Sequence, residues 1–281
     1  MYYFICESNK IKDKQAKLLD IISLKFSDLG IRYEKVSVTP LRTADILAHD
    51  AILDGRYTTI VAVGSDKTAS QIINTIAKLK KANPQVKNWP VFGMVPLRES
   101  KIADVLGLPY DNAICEALTS RKVETIDLGR ADGSYFMTSF DADFMDRKKT
   151  VWEKLTTVIK AISRNKLPEI SFDVDKRIFA KAKLSSMSVI NSLGNINFEG
   201  KNKIKLSKVN PKDQILDLIM FSGNKKQKES DLSFFRGKKI KFYCKEKLIM
   251  ACDGQQIKKV PEVFEIVPKT IEVIVGKKRS F

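Results

Sequence analysis

Along the first 110 residues, short unbroken apolar runs alternate with stretches whose apolar positions recur every three or four residues. Tyr2–Cys6 is the first run. Leu18, Ile22, Phe26 and Leu29 mark one face of a helix predicted over Lys10–Leu29, which Gly30 stops. Ile31–Val38 reads as a second strand. Leu41–Leu53 reads as a second helix, closed by Asp54-Gly55. Thr58–Val63 is a third strand, and its continuous apolar character suits burial on both faces. Thr68–Lys81 follows as a helix burying Ala69, Ile72, Ile73 and Ile76. Pro90–Val95 is a fourth strand, and a short helix then reaches Leu106 and Gly107. Such a βα repeat predicts a mostly parallel sheet covered by helices.

Beyond about residue 120 the period changes. Val123–Leu128 and Tyr135–Phe140 flank Ala131-Asp132-Gly133, a hairpin signal. Thr150–Ile162 carries Trp152, Leu155, Val158 and Ile162 at helical spacing. Short strands are expected at 169–175, 177–183, 187–191, 215–221, 238–244, 247–252 and 270–275, and residues 222–231 read as a charged exposed loop. The pattern predicts an α/β domain over 1–120 and an antiparallel β-rich domain over 121–276. A crevice between two such domains is the usual place for a ligand.

Charge sharpens this division. Residues 1–145 hold 19 Lys and Arg against 18 Asp and Glu, whereas residues 146–281 hold 31 against 15. Nearly all of the +17 net charge therefore lies in the second half, which suits an anionic partner such as a membrane surface or a polyanion. The aromatic–basic run FFRGKKIKF (234–242) is the candidate docking element, set against a plain amphipathic strand with exposed lysines. No nucleic-acid reader motif is present, so nucleic acid is not the expected partner. The four cysteines form no CxxC pair, as in a reduced cytoplasmic chain. The single histidine, His49, makes zinc or Ser-His-Asp chemistry a poor expectation and reads as a surface or groove residue. No run is long and apolar enough to span a bilayer, and the first residues read as a strand and not a leader.

The stretch TTIVAVGSDKTASQIINTIA (58–77) carries the clearest candidate chemistry. A strand that opens into a helix gathers unpaired backbone N–H groups and a partial positive charge, so anions bind there. No GxxxxGK[ST] or GxGxxG pattern is present, and the alternative is an ordinary turn with Asp66 or Thr68 as helix cap.

Three segments in order make the resemblance more specific. They are Gly64-Ser65-Asp66-Lys67-Thr68, then VFGMVPLRES with LGLP (91–109), then FRGKKIKFYCKEKLIMACDGQQIKKVPEVFEIVPKTIEVIVG (235–276). Together they resemble the diacylglycerol kinase catalytic family, which also includes sphingosine and ceramide kinases. ETIDLGRADGSYFMTSF (124–140) fits that family's domain-joining hairpin. The resemblance implies a Rossmann-like α/β nucleotide domain plus an antiparallel β-sandwich domain, the architecture shared with NAD kinases, with the tail after about 276 returning to the first domain. ATP and a lipid would meet in the cleft. It implies that Gly64, Ser65, Asp66, Lys67 and Thr68 form the phosphate turn, and that Thr39 lies near the nucleotide. Pro96, Leu97, Arg98, Glu99 and Ser100 would form the second phosphate loop. Asp66 would lie by Mg²⁺, Asp213 of VNPKDQILDL would hold a structural magnesium, and Asp253 would be the base on the lipid hydroxyl.

The departures from the family pattern are equally informative. Its GGDGT has become Gly64-Ser65-Asp66-Lys67-Thr68, and the Lys67 stem is expected to fill phosphate space and strain a glycine conformation. The second loop has lost both of its glycines, and Asp-Gly-Glu has become Asp253-Gly254-Gln255. Phosphoryl transfer rests on positioning and charge neutralisation. The expectation is therefore a weak or inactive lipid kinase relative that binds lipid or another anionic ligand. The alternatives are an active ATP- and Mg²⁺-dependent lipid kinase, and a polyanion binder. Peripheral placement on the inner face of a membrane is expected, and a homodimer is a candidate assembly.

Overall fold

The structure is a computed structural model, and it describes residues 1–7, 13–143, 167–192, 209–222, 232–244, 250–253, 255–257 and 261–281. The helix expected at 150–162 and nearly all of the loop at 222–231 lie outside the described residues.

Four parallel strands open the chain: β1 (Tyr2–Cys6), β2 (Tyr33–Ser37), β3 (Thr59–Gly64) and β4 (Val91–Pro96). They lie in the order β2-β1-β3-β4. Every residue of β1, β3 and β4 is buried, as their unbroken apolar runs require. The covering helices are α1 (Asp13–Asp28), α2 (Ala44–Asp54), α3 (Asp66–Ala82), α4 (Lys101–Leu106) and α5 (Ala113–Ser120). α2 packs beside α3 and α1 beside α5. α5 was not among the expected elements; its eight residues present only Ile114, Cys115 and Leu118 to the core, too short a stripe to stand out.

The second half begins with β5 (Val123–Ala131), β6 (Ser134–Phe136) and β7 (Ser139–Asp143). Where one strand was expected over Tyr135–Phe140, the structure has two in different sheets. At the break the carboxylate of Asp253 accepts the N–H groups of Met137 and Thr138, which belong to neither strand. Next come β8 (Glu169–Val174), β9 (Ile178–Lys183), β10 (Ser186–Ile190), β11 (Leu216–Phe221), β12 (Leu232–Gly237), β13 (Lys239–Tyr243), β14 (Met250–Cys252), β15 (Gln255–Ile257) and β16 (Val263–Ile274).

β16 is longer than the expected 270–275 strand. Pro268 lacks the donor that a continuous ladder needs, and the register against β5 shifts between Val267 and Ile271. Through β16 the parallel sheet continues into the second half, in the order β4-β16-β13-β8-β9. A separate antiparallel sheet runs β12-β11-β10-β7-β14-β15. This mixed α/β sheet joined to an antiparallel sandwich agrees with the sequence expectation.

One apolar core underlies the α/β half and takes in Ile126, Leu128, Ile271 and Val273 from the joining strands. A second lies between the two sheets, around Phe136, Phe140, Phe172, Phe242 and Phe264. All four cysteines are unpaired. Among the described residues, no helix is long and apolar enough to cross a membrane.

Candidate functional site

The chain leaves β1 towards β2 on one side and reaches β3 on the other. Such a reversal parts the loops at the carboxyl ends of the two strands, and ligands of open α/β sheets bind in the crevice between them. Glu7 follows β1 and Gly64 ends β3, so both border this crevice. Glu7 Oε2 accepts the N–H of Ser65 at 2.9 Å, and Glu7 Oε1 lies 3.4 Å from Arg98 Nη2. Gly64 has φ +153°, and a Cβ there would lie 2.5 Å from Glu7 Oε2. The glycine is therefore required, and what approaches its backbone is the chain's own carboxylate. Ser65 is the N-cap of α3, yet its hydroxyl is buried with no hydrogen-bond partner.

Asp66 begins α3 and ties the two loops together. One of its oxygens accepts the Ser100 hydroxyl, and the other accepts the Lys101 N–H at 3.0 Å. Ser100 Oγ in turn accepts the Ala103 N–H at 2.9 Å, as the N-cap of α4. Leu97 N–H donates to Gly64 O at 3.2 Å, and Pro96 pairs with Gly64 in the sheet. Arg98 and Glu99 are exposed, whereas Ser100 is buried. The segment 96–100 is thus a capped strand-to-helix turn laced to the first loop.

Lys67 lies in the expected turn but without the expected strain. It sits in the first turn of α3 with an exposed side chain and no positive φ, so it strains no glycine conformation. Thr68 is buried in the same turn. Thr39 lies past β2, and its N–H and Oγ1 both bond to the Arg42 backbone within their own turn.

Asp253 occupies the turn between β14 and β15 at φ +45° and is 1% exposed. Its carboxylate accepts Met137 N–H at 3.0 Å, Thr138 N–H at 2.8 Å, Thr138 Oγ1–H at 2.7 Å and Ser139 N–H at 3.3 Å. Burial pushes its pKa up and the charge of Asp66 adds to this, against the pull of these donors. Lys101 spans from the α/β half to Asp141 on β7 at 3.4 Å.

A groove of about 580 Å³ opens between α2 and α3 on one side and the β14–β15 hairpin on the other. Asp45, His49, Gln71, Lys78, Cys252 and Ile257 are among the residues that line it. Asn74 fixes one wall: its amide donates to Tyr135 O at 2.6 Å and accepts Tyr135 N–H at 2.8 Å.

No protein-family model matches the chain, and no curated protein matches it in sequence. Solved structures do. A structure named provisionally as a diacylglycerol kinase of Bacillus anthracis str. Sterne aligns with a TM-score of 0.74 over 98% of this chain and 97% of its own, at 16% identity. A second, a diacylglycerol kinase of the same organism, aligns with a TM-score of 0.71 over 99% and 97%, at 14% identity. The chain has the diacylglycerol kinase fold.

The groups that the sequence expectation assigns to a nucleotide and a divalent ion are engaged within the chain. At the crevice, the Ser65 N–H already carries the carboxylate of Glu7. Both oxygens of Asp66 are engaged by the second loop. Asp213 accepts Arg236 Nη2 at 2.7 Å and Ile215 N–H at 3.1 Å, while Arg236 Nε reaches Asp217 at 2.8 Å. The guanidinium thus supplies the positive charge between two carboxylates. Among the described residues, no group of three His, Cys, Asp or Glu side chains is placed to hold a metal. The contacts made here by Glu7, Asn74 and Arg236 were not among the expected ones. Only Glu7 left a signal in the sequence, as an acidic residue directly after the first strand of a βα repeat.

Proposed function

We propose that this chain is a non-catalytic protein on the lipid-kinase fold, which binds a lipid or another amphipathic anionic ligand in the groove between its two cores. The observation that carries this reading is Glu7: its carboxylate lies on the Ser65 N–H and against Gly64, where a phosphate would need backbone donors. Asp66, laced to the second loop, and Asp253, sealed beneath four donors, support it.

A second reading, an active ATP-dependent lipid kinase, draws on one observation. Asp253 is 1% exposed, and this burial pushes its pKa up, as suits a carboxylate that must take up a proton.

Magnesium–ATP separates the two. A nucleotide at 100 times its Kd adds about 2.7 kcal/mol, a rise of roughly 5–10 °C in Tm for a chain of this size. The expected result is a shift below about 1 °C, with no labelled phosphate reaching diacylglycerol in vesicles. A clear shift together with phosphate transfer establishes the kinase reading instead. Glu7→Ala is expected to gain a measurable shift with inorganic phosphate, seen as a rise in Tm against the unsubstituted chain.

A further inference from the structure

We infer that the outer face of β8, β9 and β13 is a docking surface for an anionic membrane. Alternation along these strands sets the two faces. Ile170, Phe172, Val174, Ile240 and Phe242 point into the second core, with Ala180 and Ala182 packed against it. The register then places Phe179, Lys181 and Lys183 of β9 on the opposite face, with Lys239, Lys241 and Tyr243 of β13. Phe179 is 72% exposed and Tyr243 55% exposed. A lone exposed aromatic is ordinary. Two aromatics on one solvent face among four lysines form a pattern.

Acidic residues cancel part of this charge, and Glu265 of β16 stands opposite Lys239. Glu169 is paired with Lys181 at 2.7 Å. Asp173 is buried, and its Oδ1 accepts the Lys176 N–H at 2.7 Å. Lys176 and Arg177 add positive charge at the β8–β9 turn. The face belongs to the half of the chain that carries nearly all of the net positive charge. Lysines near an anionic leaflet are attracted to it, and exposed aromatic rings seat at the headgroup level.

The spacing of the rings favours a bilayer over a nucleic-acid strand. Phe179 pairs with Asp173, which pairs with Lys241; Lys181 pairs with Ser171, which pairs with Tyr243. The two rings are thus two strands and two residues apart, about 12 Å on a flat sheet. That is too far to stack successive bases. The run at 234–242, the docking element expected from sequence, divides between environments. Ile240 and Phe242 are in the core and Phe235 packs on Phe172, so β13 supplies lysines and Tyr243 while β9 supplies Phe179.

Co-sedimentation with vesicles tests the inference, with no nucleotide present. The full chain is expected to bind phosphatidylcholine vesicles containing phosphatidylglycerol and not pure phosphatidylcholine vesicles. Reversing Lys183, Lys239 and Lys241 to Glu should weaken binding by at least about tenfold. Phe179→Ser with Tyr243→Ser should weaken it a few-fold and leave the salt dependence in place. Circular dichroism and an unchanged Tm confirm that the exposed-face variants stay folded. The inference is overturned if phosphatidylglycerol vesicles are not bound, or are bound equally well after the lysine reversals. It is overturned too if the lysine reversals abolish single-stranded polynucleotide binding in a chain that ignores vesicles. The groove and the Glu7 crevice are untouched by these variants. Failure here therefore leaves the non-catalytic reading standing, and ATP turnover would leave this surface standing.

Discussion

At the carboxyl ends of β1 and β3, and again where the chain crosses from β6 to β7, a carboxylate collects backbone N–H groups. The surroundings differ. Glu7 keeps about a third of its side chain in water and holds one backbone donor, with an exposed arginine beside it. Asp253 is sealed and holds three backbone N–H groups and a hydroxyl. In the first region water can replace whatever is removed. In the second it cannot, so the same bond type is a local convenience in one place and a condition of folding in the other.

Asp253→Ala is the severest test of that contrast. It leaves four buried donors without an acceptor, at about 1–3 kcal/mol each before relaxation. Urea denaturation should show a loss of at least about 4 kcal/mol, with Asp253→Asn intermediate. A loss below about 1 kcal/mol would return Asp253 to the role of an available base. Asp66→Ala comes next. It releases Ser100 Oγ and Lys101 N–H at a partly exposed site, and the same measurement should read about 1 kcal/mol. A cost equal to that of Asp253→Ala would erase the difference between the regions. Lys67→Gly should have the smallest effect, under about 1 kcal/mol, with no gain in nucleotide binding. If that single change creates ATP affinity, then Lys67, and not Glu7, closes the crevice.

The α/β half was legible because its signals are local. Buried parallel strands read as apolar runs, so β1 matched its predicted range and β3 and β4 were displaced by a single residue. The β half was legible in class but not in detail. β12 was missed since LSFFRG is half-exposed on both faces. The split between β6 and β7 was hidden because Asp253, whose carboxylate accepts the N–H groups at the break, lies more than a hundred residues further on. The placement of the candidate site followed from chain order, while its occupancy did not. Glu7 reaches Ser65 across 58 positions, and Arg236 reaches Asp213 across 23. Such pairings depend on which strands become neighbours, and the hydrophobic pattern does not carry that information. The expectation that Lys67 strains the backbone erred for a related reason. A lysine where relatives have glycine strains the backbone only at positive φ, and here α3 starts one residue before it.

β16 has a consequence for the order in which the molecule can be completed. Among the described residues it is the only strand that pairs with both β4 and β13, and so it is the seam of the large sheet. It is also the last strand in chain order. During synthesis, residues 1–120 leave the ribosome long before this seam exists, with the flank of β4 still waiting for it. Each half can gather its own local structure early, but the sheet closes only when both have been made. Assembly of this fold is thus a late, long-range event, and a pause in translation before residue 263 would hold both halves open along the same edge.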